Sequence, residues 1–178
     1  MNNNIYLIGM MGSGKSTIGE LLAKNLYYKF IDVDDFIVEH SEYESINEIF
    51  EKKGEKFFRT LEKEAMKEIS KFENKIVATG GGVILNDENI QMMSSSGLVL
   101  YLKSDIDHLV NRLEGATDRP LLKNEDLKDK LNTLYSNRKD LYNKAANLVF
   151  EITSKDKQRI IEEILKRLEG DYDEYFSD

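Results

Sequence analysis

Short apolar runs alternate with longer amphipathic stretches from one end of the chain to the other. The runs lie at residues 5–8, 30–32, 76–79, 98–102 and 148–152, each with the length and composition of a buried strand. Between them apolar residues recur at helical spacing. Ile18, Leu21, Leu22 and Leu26 form one such face, and Phe58, Leu61, Ala65, Met66 and Ile69 a second within 55–72. Ile106, Leu109, Val110 and Leu113 form a third, and Leu127, Leu131, Leu134, Leu141 and Tyr142 a fourth within 125–142. Ile160, Ile161, Ile164, Leu165 and Leu168 close the series. Strand and helix in alternation predict an α/β protein: a five-stranded parallel sheet with helices on both faces, in three layers. Ligands in such sheets bind beyond the carboxyl ends of the strands, so those turns are where chemistry is expected.

Local signals set several boundaries. Ser45-Ile46-Asn47-Glu48 has the form of a capping box that opens a helix, and Gly54 ends it. Ser104-Asp105-Ile106-Asp107 has a similar form. The helical stretch between the second and third strands is longer than a crossover needs, and reads as an inserted helix pair walling a second pocket. Residues 115–122 read as a loop and hold Pro120, the one proline of the chain.

The turn after the first strand carries the most specific chemistry. Gly9-Met10-Met11-Gly12-Ser13-Gly14-Lys15-Ser16 fits the phosphate-loop pattern G-x-x-x-x-G-K-[ST], between a strand and an amphipathic helix. Its glycines let backbone N–H groups of Gly12, Ser13, Gly14, Lys15, Ser16 and Thr17 face a polyphosphate at a helix N-terminus. Lys15 can reach the outer phosphates and Ser16 can put its hydroxyl on Mg²⁺. Met10 and Met11 either pack or line a pocket.

Other strand ends add candidates. Asp32-Val33-Asp34-Asp35 offers two carboxylates for Mg²⁺ and for a substrate hydroxyl, at Asp32 and Asp34; helix capping by Asp34 or Asp35 is the competing explanation. Thr79-Gly80-Gly81-Gly82 lets a ligand approach bare backbone. No aspartate follows that third strand directly, so the metal-organising acid is expected after the second. Arg59 can pair with Glu55 or Glu62 along its own helix, and Arg138 is explained equally well as a surface charge. Arg112 lies near a helix end, where its charge suits the dipole. Arg119, in the loop, can close over phosphates. His40 and His108 are isolated and read as surface residues.

The bulk composition narrows the class. The chain has 178 residues, enough for one domain with a substantial core, and no cysteine, which excludes disulfides, thiolate metal sites and thiol nucleophiles. Net charge is −8, and the last ten residues contain five acids and no base. That balance argues against nucleic acid as a partner, and residues 171–178 read as a solvated acidic tail. No apolar run approaches the ~20 residues of a membrane span. With no basic leader at Met1-Asn2-Asn3-Asn4, the expectation is a cytoplasmic protein with no membrane partner.

In order along the chain, the phosphate loop through Thr17, Asp32-Val33-Asp34, Ser45-Ile46 with Ile49-Phe50, Gly54-Glu55 with Phe58-Arg59 and Glu62, Thr79-Gly80-Gly81-Gly82, Arg119-Pro120-Leu121-Leu122 and Arg138 with Leu141-Tyr142 and Ala145 resemble shikimate kinase. The resemblance runs from about residue 5 to 152. It departs at Tyr43, where the family usually has glycine two residues before the Ser-Ile pair.

The resemblance implies a P-loop fold of the nucleoside-monophosphate-kinase type. It implies one kinase domain over 1–170, with a substrate-binding helical section at about 33–60 and a lid at about 114–124. It implies ATP and Mg²⁺ as cofactors and shikimate as the small-molecule acceptor, phosphorylated on its 3-hydroxyl by a monomer. Asp34 would hold the acceptor hydroxyls and take the reacting proton. Arg59 and Arg138, with Gly80, Gly81 and Gly82, would grip the carboxylate between walls formed by Phe50 and Phe58. Ser16 and Asp32 would serve the metal, Arg112 the adenine, and Lys15 with Arg119 the transferring phosphoryl group. Rival expectations are a kinase for another small metabolite such as gluconate, a nucleoside-monophosphate kinase, and an inactive nucleotide-binding homologue. A GTPase switch is disfavoured, because neither D-x-x-G nor N-K-x-D occurs.

Overall fold

The fold is known from a computed structural model that describes residues 3–114 and 127–170. The lid section with Arg119, and the acidic tail 171–178, lie outside the described residues. Five strands form one parallel sheet in the order β2-β3-β1-β4-β5. They are β1 (Asn4–Ile8), β2 (Lys29–Asp32), β3 (Lys75–Ala78), β4 (Gly97–Lys103) and β5 (Leu148–Glu151). The helices are α1 (Lys15–Leu26), α2 (Val33–Glu39), α3 (Ile46–Ile69), α4 (Asp87–Ser96), α5 (Ile106–Glu114), α6 (Leu127–Ala145) and α7 (Lys157–Gly170).

Strand alternation divides the core into two layers. Ile5 and Leu7 of β1, with Leu98, Leu100 and Leu102 of β4, pack under α1 and α7. Tyr6 and Ile8, with Val99 and Tyr101, face the opposite way, onto a cluster fed by α2 through α6. Both faces of β1 are buried, which explains the apolar run Ile5–Ile8 within it. Because β1 is central, the turn after it lies between the ends of β3 and β4 and within reach of β2.

Gly54 divides α3. Its backbone, at φ 80° and ψ 173°, breaks the helix into two arms, and a side chain added there would meet nothing within 4 Å. The break predicted at that glycine is therefore present. Ser45 caps the first arm by accepting from Glu48 N at 3.2 Å, while Glu48 Oε2 accepts from Glu44 N at 2.7 Å. Tyr43, the departure from the family pattern, is buried and meets Phe57 of the second arm edge to face at 6.1 Å. It works as an apolar fastener where a glycine would give none.

Two capping expectations need correction. Ser104 does not cap α5; Asp105 does, accepting from His108 N at 2.7 Å, while the Ser104 hydroxyl is buried. Capping of α2 falls to Asp32, not to Asp34 or Asp35, since Asp32 Oδ1 accepts from Asp34 N at 3.0 Å. In both cases the residue just before the first helical one is the one whose side chain can reach the exposed N–H groups. A short turn of 3-10 helix (Val83–Leu85) was not anticipated, and α4 fills the helical stretch expected between the third and fourth strands, for which no apolar face or boundary was assigned. The available signal was Asn86, which accepts from Glu88 N at 2.9 Å, followed by two acids in the first turn.

Candidate active site

The loop after β1 wraps into a cradle. Gly14 has φ 82°, a left-handed conformation from which α1 departs, and the Arg112 guanidinium lies against it; an added Cβ would sit 2.9 Å from Arg112 Nη1. Gly12 is covered by Leu113 in the same way, at 3.0 Å. Helix α5 therefore seats on the loop through two consecutive residues. Lys15 Nζ donates to the carbonyls of Gly9 and Met10, both at 2.9 Å. Ser13 Oγ is buried with no hydrogen-bond partner among the described residues. An unsatisfied hydroxyl and a lysine folded over the loop fit a polyphosphate guest.

Asp32 links this cradle to β2. Its Oδ2 accepts from Ser16 Oγ at 2.7 Å while its Oδ1 caps α2, so one carboxylate fixes both Ser16 and the helix that carries Asp34. No cluster of three His, Cys, Asp or Glu that could hold a metal by itself occurs among the described residues. Ser16 and Asp32 still fit Mg²⁺, which typically takes one or two protein oxygens and completes its shell with water and phosphate. Burial, and then the nearby charge of Asp32, hold the Asp35 carboxyl above its ordinary value.

A cavity of about 440 Å³ opens over these groups, with Gly12, Lys15, Ser16, Thr17, Asp32, Asp34, Gly80, Gly81 and Arg112 on its walls. Donor-side and acceptor-side candidates therefore share one space. A second cavity of about 590 Å³ begins at Gly14, Thr17 and Arg112 and runs to His108 and residues 155–158 at the start of α7. Arg112 lines both. The segment 155–158 carried no signal in the sequence, since its role depends on β5 delivering it beside α5.

Each glycine after β3 abuts a different partner. Thr79 holds the turn down, its hydroxyl donating to Leu7 O at 2.9 Å. A Cβ on Gly80 would collide with Glu62 Oε1 at 2.9 Å and come within 3.6 Å of Asp34 Oδ1. One on Gly81 would stand 3.4 Å from Met11 N, and one on Gly82 would strike the Arg59 guanidinium at 2.3 Å. The absence of side chains here lets α3 and the phosphate loop close to van der Waals distance.

Both partners considered for Arg59 are engaged. Its Nη1 reaches Glu62 Oε1 and Oε2 at 3.0 and 2.9 Å, and its Nη2 reaches Glu55 Oε1 at 3.1 Å. Its Nε is buried with no hydrogen-bond partner among the described residues. Burial raises the Glu62 carboxyl and nearby Asp34 adds to it, while Arg59 and Arg138 pull the other way. Arg138 Nη1 donates to Gly81 O at 3.3 Å. Phe50 and Phe58 meet with ring centroids 4.8 Å apart and planes tilted by 34°, and the Arg59 guanidinium carbon lies 5.1 Å from the Phe58 ring centroid. Arg59, Gly82, Phe50, Phe58 and Arg138 are not on the walls of the 440 Å³ cavity; Arg59 abuts Gly82 and Arg138 bonds the Gly81 carbonyl of the same glycine turn. His40 is exposed and stacks on Phe36 at 4.1 Å, away from these groups.

A phosphate loop, a serine–aspartate pair beside it and an acceptor side of Asp34 and bare glycine backbone, with Arg59 and Arg138 held against that glycine turn, define a P-loop kinase for a small metabolite. The sequence model of the shikimate kinase family matches residues 11–169. The shikimate kinase of Rippkaea orientalis is 44% identical over 93% of this chain and 87% of its own length. That of Clostridium botulinum is 42% identical over 93% and 97%. A solved shikimate kinase from Acinetobacter baumannii, in complex with shikimate, superposes with a TM-score of 0.89 at 34% identity, covering 95% of this chain and 94% of that one. A gluconokinase from Sinorhizobium meliloti shares the fold at TM-score 0.64 and 20% identity.

The chain belongs to the shikimate kinase family. Membership carries the reaction, ATP- and Mg²⁺-dependent phosphorylation of shikimate, and does not favour the gluconate and inactive-homologue alternatives.

Proposed function

We propose that the groups above divide the transfer to the shikimate 3-hydroxyl as follows. The observation that carries this reading is the shared cavity, which has Lys15 and Ser16 on one wall and Asp34 with Gly80 and Gly81 on another. Bound ATP with Mg²⁺ would supply the phosphoryl group and a divalent charge to offset its developing negative charge. Backbone N–H groups from Gly12 to Thr17 hold the polyphosphate, and Lys15 leaves the Gly9 and Met10 carbonyls to neutralise its outer oxygens. Ser16 and Asp32 hold the metal. The cavity bounded by Arg112 and residues 155–158 takes the nucleobase.

Asp34 orients the reacting hydroxyl and accepts its proton. Arg59 and Arg138, with the backbone of Gly80, Gly81 and Gly82, bind the acceptor carboxylate, and Phe50 and Phe58 pack the far side of that wall. Arg119, together with the lid proposed at 114–124, adds positive charge and excludes water. The net charge of −8 supports a small-molecule acceptor over nucleic acid, and we read the enzyme as a cytoplasmic monomer with one domain over 1–170.

The test is coupled ATP turnover with Mg²⁺, offering shikimate, gluconate, a nucleoside monophosphate and no acceptor. Turnover with shikimate alone is expected. Preference for gluconate or a nucleoside monophosphate overturns the acceptor assignments while leaving the phosphate loop intact.

A further inference from the structure

Gly81 O is the single acceptor on which two donors of α6 converge. Tyr142 Oη donates to it at 2.5 Å and Arg138 Nη1 at 3.3 Å. Positions 138 and 142 are one helical turn apart, so their side chains share a face of α6. The shorter contact is the neutral one. A phenol has one proton to give, and the 2.5 Å contact takes it; Met10 Sδ, 3.7 Å from the same oxygen, packs beside it. The ring cannot drift, because it is fully buried and stacked on Tyr101 at 5.0 Å with an interplanar angle of 20°. Tyr142 thus touches the phosphate loop, the glycine turn and the helix that carries Arg138.

A buried carbonyl needs a donor. Without the phenol, the donor left for Gly81 O is Arg138, and a guanidinium bound to a buried carbonyl makes a charge-assisted bond that a ligand must first break. With the phenol in place, Arg138 can leave that carbonyl without stranding it. We propose that Tyr142 is a positioning residue for the acceptor side, whose hydroxyl satisfies Gly81 O so that Arg138 is released to the substrate carboxylate. The proposal rests on the reading of Arg138 as a carboxylate ligand. Burial pushes the Tyr142 hydroxyl up to about 12, against the opposing pull of Arg138, so it keeps its proton across the neutral range.

The experiment is Tyr142→Phe in the full chain, which keeps the ring and removes one oxygen, alone and combined with Arg138→Ala. The single variant is expected to raise KM for shikimate roughly tenfold, the scale of one lost buried hydrogen bond, with kcat within about twofold. KM for ATP should stay unchanged. In the Arg138→Ala background the same substitution should change KM for shikimate by less than about twofold, because no guanidinium remains to be recaptured. An unchanged KM for shikimate overturns the proposal. So does an equal rise for both substrates, or the same factor in both backgrounds; each of these, like a lowered Tm without a shikimate-specific effect, marks a purely structural tyrosine. If Arg138→Ala by itself leaves KM for shikimate unchanged, the carboxylate reading has failed and the proposal falls with it, a result distinct from the others.

Discussion

The two ends of the 440 Å³ cavity are built over different spans of chain. At the phosphate end, Lys15 bonds residues 6 and 5 positions away, and Ser16 meets Asp32 16 positions on. At the acceptor end, Gly81 O is held from α6 across 57 and 61 positions, and the same turn is pressed by Glu62 and Arg59 of α3. The polar bonds of the first end come from one loop and the end of β2, the next strand along the chain, with α5 seated on that loop through Arg112 and Leu113. The second exists only after three separately formed elements have docked. A substitution at the phosphate end therefore acts on chemistry with little effect on the fold, while one at the acceptor end acts on both substrate and packing.

The largest effect that tests this contrast is Lys15→Ala. It should lower kcat by ~10³-fold, the usual scale for removing a donor aimed at developing charge, while shikimate binding measured by calorimetry stays within about twofold. A parallel loss of shikimate affinity would show that the two ends are not separable. Arg138→Ala should cost ~2–5 kcal/mol of shikimate binding with ATP affinity preserved, because a desolvated carboxylate loses its partner. An unchanged KM for shikimate would falsify that assignment.

Glu62→Gln should sharpen the comparison from the packing side. It weakens the hold on Arg59 and should cost ~1–3 kcal/mol of unfolding free energy together with a higher KM for shikimate. Loss of stability alone would place Glu62 outside the substrate path. The smallest effect is expected from Ser45→Ala, which removes the cap of the first arm of α3 and should cost ~1 kcal/mol in denaturant unfolding. Turnover should be near normal in that variant; a large fall would mean that this arm takes a more direct part in binding.

The same division explains what could be read from the sequence. The phosphate loop was legible because its specification is local: a strand, eight residues and a helix face. The five strands and the break at Gly54 were legible for a similar reason, since apolar runs and a lone glycine signal without help from distant residues. Arg59 and Arg138 were ambiguous on local grounds, and only the ordered family pattern singled them out. Gly81 and Gly82 show why: Arg59 lies against Gly82 and Arg138 bonds Gly81 O, so the contacts that set these two apart from surface arginines are tertiary. Helix α4 was expected only as one term of the strand–helix alternation, without a face or bounds, because its buried residues are few, Asn89, Met93 and Ser96, and two of these are polar. The displaced caps at Asp32 and Asp105 show that adjacent acidic and hydroxyl residues leave the starting residue undetermined until backbone direction is known.

The central place of β1 has a consequence for synthesis on the ribosome. Ile5 pairs on one side with Ile76 and on the other with Leu98, so the first strand made is among the last to gain its neighbours. At translation speeds of about 5–20 residues per second, roughly 5–20 s separate β1 from β4. Until β3 is made the nucleotide cradle hangs from an unpaired strand, and until β4 follows, from one paired on a single side. Capture of ATP by a nascent chain should therefore begin only once residue 103 has emerged, which makes nucleotide retention a clock for the arrival of β4.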